Sequence, residues 1–326
     1  MALTKLVSMA GLWSVGGSSI SLPFEDGKVS IGLDGQSTKV RIDSGSARFF
    51  VLYGPEFGED RPFFGIAGLS HGRVGIPETF LEQLLRLNVI SNPSYLIHTD
   101  GDARKFNGEI VLGGLDKLDK SFVRIKGINS KVAVYLWPMR LATADGRELP
   151  PLLPNERASK PCAAFVDSGA TNIDLKDSEL ERFIKGSSGI VWFNNEQKKY
   201  VVDETNQHRL PTLLFYIGGK TGQTEIRIEP RHYVQRCLKG LCVLKLFRIS
   251  DEDLHSLGHP VFHAYDVGVD LSGEESYIFI RNNKEAATVG GLGPTTRILQ
   301  LRELLKNKNR GSFSASRRGA VKTKLL

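Results

Sequence analysis

Residues 163–175, Ala-Ala-Phe-Val-Asp-Ser-Gly-Ala-Thr-Asn-Ile-Asp-Leu, constrain the chain more than any other stretch. Four apolar residues run straight into an acid, then a hydroxyl residue, a glycine, and a second apolar patch. This pattern describes a buried strand that delivers one carboxylate to a tight turn. Gly169 has no Cβ and lets the backbone fold back on itself. Amides and hydroxyls around Asp167 can then fix the carboxylate. An acid at the end of an apolar strand is costly unless it is satisfied or used. Two readings follow from the residues alone: a catalytic acid, or an Asx-turn between two strands.

The rest of the chain reads as mainly β. Val29-Ser30-Ile31 and Lys39-Val40-Arg41-Ile42 alternate with period two around Asp34-Gly35, a hairpin signature. Phe49 to Tyr53, Tyr95 to Ile97, Glu109 to Leu112 and Val132 to Trp137 read as strands. So do Leu210 to Ile217, Ile226 to Ile228, Val267 to Leu271 and Tyr277 to Ile280. Phe63 to Leu69 is an apolar, glycine-bearing segment that needs close-packed surroundings. Helical spacing is confined to Phe80–Leu87, to about Asp177–Lys185 ahead of Gly186, and to Pro294–Lys306. Their apolar stripes are packing faces. Pro150, Pro151 and Pro154 place residues 149–154 in a loop or at a sheet edge.

Charge narrows the function classes. The formal net charge is +7, but seven basic residues and no acid lie between Lys306 and Leu326. The remainder balances 36 basic against 36 acidic residues, so the body gives no reason to expect nucleic acid as a partner, and the tail reads as a solvated segment. No apolar run approaches the ~20 residues of a membrane span. The stretch from Met1 to Val15 resembles a signal peptide only faintly, with one lysine and an apolar stretch broken by Ser8, Gly11 and Ser14. Cys237 and Cys242 flank Gly240 and could close a hairpin disulfide, leaving Cys162 odd. The cysteines lack zinc-site spacing, so neither a metal nor a cofactor is expected.

Five short motifs in one order resemble those of the pepsin-like aspartic proteases. They are Phe64-Gly-Ile-Ala-Gly-Leu69, Gly108-Glu-Ile-Val-Leu-Gly-Gly-Leu-Asp116, Phe165-Val-Asp-Ser-Gly-Ala-Thr171, Leu210-Pro-Thr-Leu213 with Glu229-Pro-Arg-His-Tyr233, and Leu257-Gly-His-Pro-Val-Phe262 through Ile280. Together they cover residues 25–282. The resemblance implies a mainly β, bilobal fold. Residues 1–125 would form an incomplete N-terminal lobe with the inter-lobe strands. Residues 126–285 would form the C-terminal lobe, and residues 286–326 a helix and basic tail. It also implies an aspartic endopeptidase acting on an extended peptide, as a monomer, in a secreted or vacuole-like compartment. Asp167 would be the catalytic acid, with Ser168, Gly169, Ala170 and Thr171 against the substrate.

The family's chemistry needs a second aspartate. Asp43-Ser44-Gly45-Ser46 has the right letters, but spacing argues against it. Gly258, the bracing glycine of the second half, follows Asp167 at a separation of 91, whereas Gly68 follows Asp43 at a separation of only 25. Val29-Ser30-Ile31-Gly32 also resembles the strand that follows the family's flap, a hairpin covering the substrate. On that reading Asp43 lies in a turn between later strands, and the start of the first lobe, with its aspartate and flap, is missing. Such a chain would be an inactive peptide- or protein-binding relative. His259 stands where the family has aspartate and reads as a satisfied histidine beside a turn. Tyr135 and Trp137 read as core or cleft wall.

Overall fold

In the computed structural model the described residues are 19–33, 36–51, 65–72, 78–115, 118–128, 131–143, 145–150, 160–219, 222–250 and 254–283, all within one compact unit. Residues 1–18, the Asp34-Gly35 turn, residues 151–159, the helix expected over Pro294–Lys306 and the basic tail lie outside them. Among the described residues no helix is long and apolar enough to cross a membrane.

Strands β1 (Ile20–Glu25), β2 (Lys28–Leu33) and β3 (Gln36–Asp43) form an antiparallel meander. The β1–β2 turn is Asp26-Gly27, both with positive φ (48° and 72°), as a tight hairpin requires. β4 (Phe49–Val51) and β5 (Gly65–Gly68) follow, then helix α1 (Phe80–Arg86). Thr79 and Glu82 cap α1 reciprocally, and Phe80, Leu81 and Leu84 fill its buried face, the stripe expected from the sequence. Strands β6 (Ser94–Thr99), β7 (Gly108–Leu112) and β8 (Val123–Lys126) complete the first half.

The second half opens with β9 (Ala133–Leu136), β10 (Arg140–Ala142), β11 (Cys162–Val166) and β12 (Ile173–Lys176), then helix α2 (Asp177–Gly186). Next come β13 (Val191–Asn194), β14 (Lys199–Asp203), a 3-10 turn over Glu204–Arg209, β15 (Thr212–Gly219) and β16 (Gly222–Ile228). A single turn, α3 (Pro230–Tyr233), leads into β17 (Val234–Leu238), β18 (Leu241–Leu244), β19 (Leu246–Ile249) and β20 (His255–Leu257). Helix α4 (His259–Ala264), β21 (Tyr265–Asp270) and β22 (Tyr277–Asn282) close the order.

A ten-stranded sheet runs β4-β5-β3-β2-β1-β7-β6-β21-β22-β8, so the last two strands return to the first half. An eight-stranded sheet carries β10-β15-β9-β11-β20-β12-β19, with β16 against β15. A small sheet, β13-β14-β18-β17, includes the Cys237–Cys242 disulfide, while Cys162 is free. Each large sheet contains the same three-strand device. In the first, β3 runs parallel to β5 and β4 antiparallel to it. In the second, β11 runs parallel to β20 and β12 antiparallel to it. The connections differ greatly in length: residues 52–64 join β4 to β5, whereas residues 177–254, with a helix and a whole small sheet among them, join β12 to β20.

Candidate active site

Both devices end their first strand on an acid. On β3, Val40 and Ile42 are buried, and Asp43 follows half-buried at the strand end. On β11, Ala164 and Val166 are buried, and Asp167 follows in the same way. The two Asp-Ser-Gly turns face each other and interlock. The Ser44 hydroxyl donates to the Val166 carbonyl at 2.8 Å and accepts from the Ser168 amide at 2.8 Å. The Ser168 hydroxyl donates to the Ile42 carbonyl at 3.3 Å and accepts from the Ser44 amide at 3.0 Å. Each serine thereby satisfies backbone groups that the opposite turn leaves exposed, a reciprocal solution to burying two turns together.

The glycines let the carboxylates meet. A Cβ on Gly45 would lie 2.6 Å from Asp167 Oδ2, and one on Gly169 would lie 2.6 Å from Asp43 Cγ. Any side chain there would displace the acid opposite. Asp167 Oδ1 accepts the Gly45 amide at 3.2 Å and the Gly169 amide at 2.8 Å, and Asp43 Oδ1 accepts the Ser46 amide at 2.9 Å. Gly68 and Gly258 brace the turns from behind. A Cβ on Gly68 would fall 2.4 Å from the Arg48 carbonyl oxygen, and one on Gly258 would fall 2.4 Å from that of Ala170.

Burial raises the Asp43 pKa from 3.8 to about 6, and the Asp167 charge together with a hydrogen bond between the two carboxyl groups adds to the rise, against the Ser46 and Gly45 amides. Two carboxyl groups this close share a proton more readily than they both ionise. Asp174, farther along on β12, is also raised, mainly by burial, while Ser256 hydrogen bonds pull it down.

Asp43 is therefore not in a turn remote from Asp167, as the spacing argument predicted. Val29–Gly32 belongs to β2, which feeds the hairpin into Asp43 rather than following a flap. The interval from Asp43 to Gly68 is short because the β4–β5 connection spans only residues 52–64, against residues 177–254 in the other half. The difference in interval thus lies in the connection that follows the first acid. The flap was expected to be lost with the start of the first lobe; residues 1–18 and residues 52–64 both lie outside the described residues. The signal that identifies Asp43 was present in the sequence: alternation of Thr38, Val40 and Ile42 ahead of Asp-Ser-Gly, as Ala164 and Val166 stand ahead of Asp167.

Of the residues expected against substrate, Ser168 is buried with its hydroxyl committed to the interlocked turns, Gly169 and Ala170 are half-buried, and Thr171 is exposed. The Ala170 carbonyl accepts the His259 amide at 2.9 Å. His259 Nε2 lies 3.2 Å from the Ser168 carbonyl, and its ring stacks on Phe106 at 3.8 Å between centroids. Burial, then the Lys245 charge, lowers its pKa to about 3. The same two causes take His263, whose Nε2 lies 3.2 Å from Lys245 Nζ, to about 2. Lys245 itself is buried and lowered to about 8. Sequence reasoning read His259 singly and missed this basic cluster, because only packing turns His259 and His263 of α4 toward Lys245. Among the described residues no group of His, Cys, Asp and Glu could hold a metal ion.

A family model for eukaryotic aspartyl protease matches residues 55–274, two thirds of the chain. The chain belongs to the eukaryotic aspartyl protease family. A cathepsin D from Clupea harengus is 26% identical over 196 residues, covering 56% of this chain and 46% of that protein. The chain thus spans about half the length of the curated relative it matches. The crystal structure of an aspartic proteinase from Irpex lacteus superposes with a TM-score of 0.58 at 12% identity, covering 81% of this chain and 97% of the other. That likeness concerns the fold, which is pepsin-like and mainly β. The family match begins after Asp43 and includes Asp167, so the facing of the two acids comes from the geometry and not from the sequence match.

Proposed function

We propose that this chain is an aspartic endopeptidase whose dyad is Asp43 and Asp167. The observation that carries the reading is the reciprocal approach of each carboxyl group to the glycine of the opposite turn. A water between the carboxyls would be the nucleophile. Asp167, whose Oδ1 accepts two backbone amides, suits the ionised member and takes a proton from the water as it attacks the peptide carbonyl. Asp43, raised to about 6, suits the protonated member and gives its proton to the carbonyl oxygen. Collapse of the tetrahedral adduct returns a proton to the leaving nitrogen and releases a carboxylic acid and an amine. No covalent enzyme intermediate forms. Gly169, Ala170 and Thr171 border the second turn, where an extended peptide would lie across the site.

A second reading, a peptide-binding protein without hydrolysis, is favoured by the short β4–β5 connection, residues 52–64, where the other half has residues 177–254. One assay separates the two. Hydrolysis of a peptide library near pH 5, inhibited by pepstatin and lost in both Asp167→Asn and Asp43→Asn, is the expected outcome. Binding of the same peptides without cleavage in the parent chain would favour the second reading. Cleavage surviving Asp43→Asn would remove Asp43 from the dyad.

A further inference from the structure

Tyr95 sits on β6, in register with Val269 of β21 and Leu112 of β7, and is wholly buried. Its ring fills the core of the ten-stranded sheet, yet its hydroxyl is the one part that a phenylalanine would not bring. That hydroxyl has no hydrogen-bond partner among the described residues. A buried, unsatisfied O–H costs about 1–3 kcal/mol, so a core position that retains one calls for a reason.

The surroundings of Oη supply one. The Ser44 side chain, Asp43 and Asp167 all act on the Tyr95 hydroxyl, without a formed hydrogen bond to it. The Ser44 hydroxyl already donates to the Val166 carbonyl and accepts the Ser168 amide. A hydroxyl oxygen has two lone pairs, so one acceptor site on Ser44 remains open. Among the described residues the Tyr95 donor has no other partner. Donation into Ser44 would strengthen the bond Ser44 gives to Val166, because hydrogen bonds in a chain polarise one another.

We infer that Tyr95 is a positioning residue of the two-aspartate site, acting through Ser44 to hold the turns and favour the singly ionised pair. The inference rests on the dyad reading, but its test does not require activity. Carbon-13 carboxyl NMR titration of Asp43 and Asp167 compares the parent chain with Tyr95→Phe, which keeps the ring and removes the hydroxyl. The lower of the two apparent titrations should rise by roughly half a unit, less than a direct bond to the charged form would give, because the hydroxyl acts through Ser44. Site-specific 3-fluorotyrosine at position 95, a stronger donor, should move it the opposite way and serves if the phenylalanine variant folds poorly. In turnover, Tyr95→Phe should lower kcat about threefold with KM within twofold, the loss of a positioning contact rather than of substrate binding.

Superimposable carboxyl titrations in the three proteins would overturn the inference and leave Tyr95 an ordinary core residue. A parent chain that cleaves nothing would refute the protease reading, while the NMR titrations still decide the role of Tyr95.

Discussion

At the scale of single residues the site depends on two atoms that are absent, the Cβ atoms of Gly45 and Gly169. Alanine at 169 would place a methyl 2.6 Å from the Asp43 carboxyl, so one group must move. Displacement by about 1 Å typically costs about a hundredfold in rate. Gly169→Ala should therefore lower kcat/KM by at least about a hundredfold while the chain still unfolds cooperatively, measured by peptide hydrolysis and thermal denaturation. Asp43 also sets a pH limit. The proposed reaction needs it protonated, and its pKa is about 6. Activity should fall as pH rises through about 6, tenfold per unit above it, in a kcat/KM profile. A profile flat from pH 5 to pH 8 would contradict the assignment of Asp43 as the acid.

At the scale of elements, the turns that follow β3 and β11 are cross-linked by four hydrogen bonds through Ser44 and Ser168. Ser44→Ala would strip the Val166 carbonyl and the Ser168 amide of their partner in a buried site. Each unsatisfied group costs about 1–3 kcal/mol. Urea unfolding should show at least that loss with an unchanged m-value, and dyad-dependent hydrolysis should fall with it. Most elements were legible from pattern alone. The alternation of β2 and β3 and the apolar faces of α1 and α2 are local properties, written in periods of two and 3.6 residues. The β2–β3 hairpin expected around residues 34–35 is present, with Leu33 paired to Gln36, and the β1–β2 turn at Asp26-Gly27 is a further local turn of the same kind.

At the scale of the whole molecule, acid acts through the buried histidines. His259 and His263 have folded pKa values of about 3 and about 2 against 6.5 when free. Below pH 6.5 the unfolded chain takes up protons that the folded chain refuses, so stability falls as pH is lowered toward 3. Lys245, His232 and Asp102 face His263, and Arg41 and Lys245 face His259, but Lys245 titrates near 8, outside this window. Asp43 works in the opposite sense: raised to about 6, it makes the folded chain bind an extra proton between about 4 and 6. For these three groups alone the balance is a loss equivalent to about one proton between pH 6 and 4 and about two below pH 4, each about 1.4 kcal/mol per unit. Urea midpoints from pH 7 to pH 3 should fall slowly and then steeply, and His259→Phe should remove about one proton from the slope. A midpoint that rises on acidification would contradict this balance.

The sequence by itself determined the family, the mainly β class and the acid at the end of β11, because buried strands and tight turns carry their signatures in adjacent residues. It also held the Asp43 tetrapeptide and the strand that delivers it. What only the tertiary structure decided was that Asp43 and Asp167, far apart along the chain, occupy one site. The spacing argument assumed two halves with connections of equal length, but connection length is free to vary while strand pairing is not. β3 beside β5 and β11 beside β20 are fixed by hydrogen-bond register and burial, whatever joins them. The same holds for Tyr95 beside Ser44 and for Lys245 against His263: no local pattern announces contacts between residues that only packing brings together.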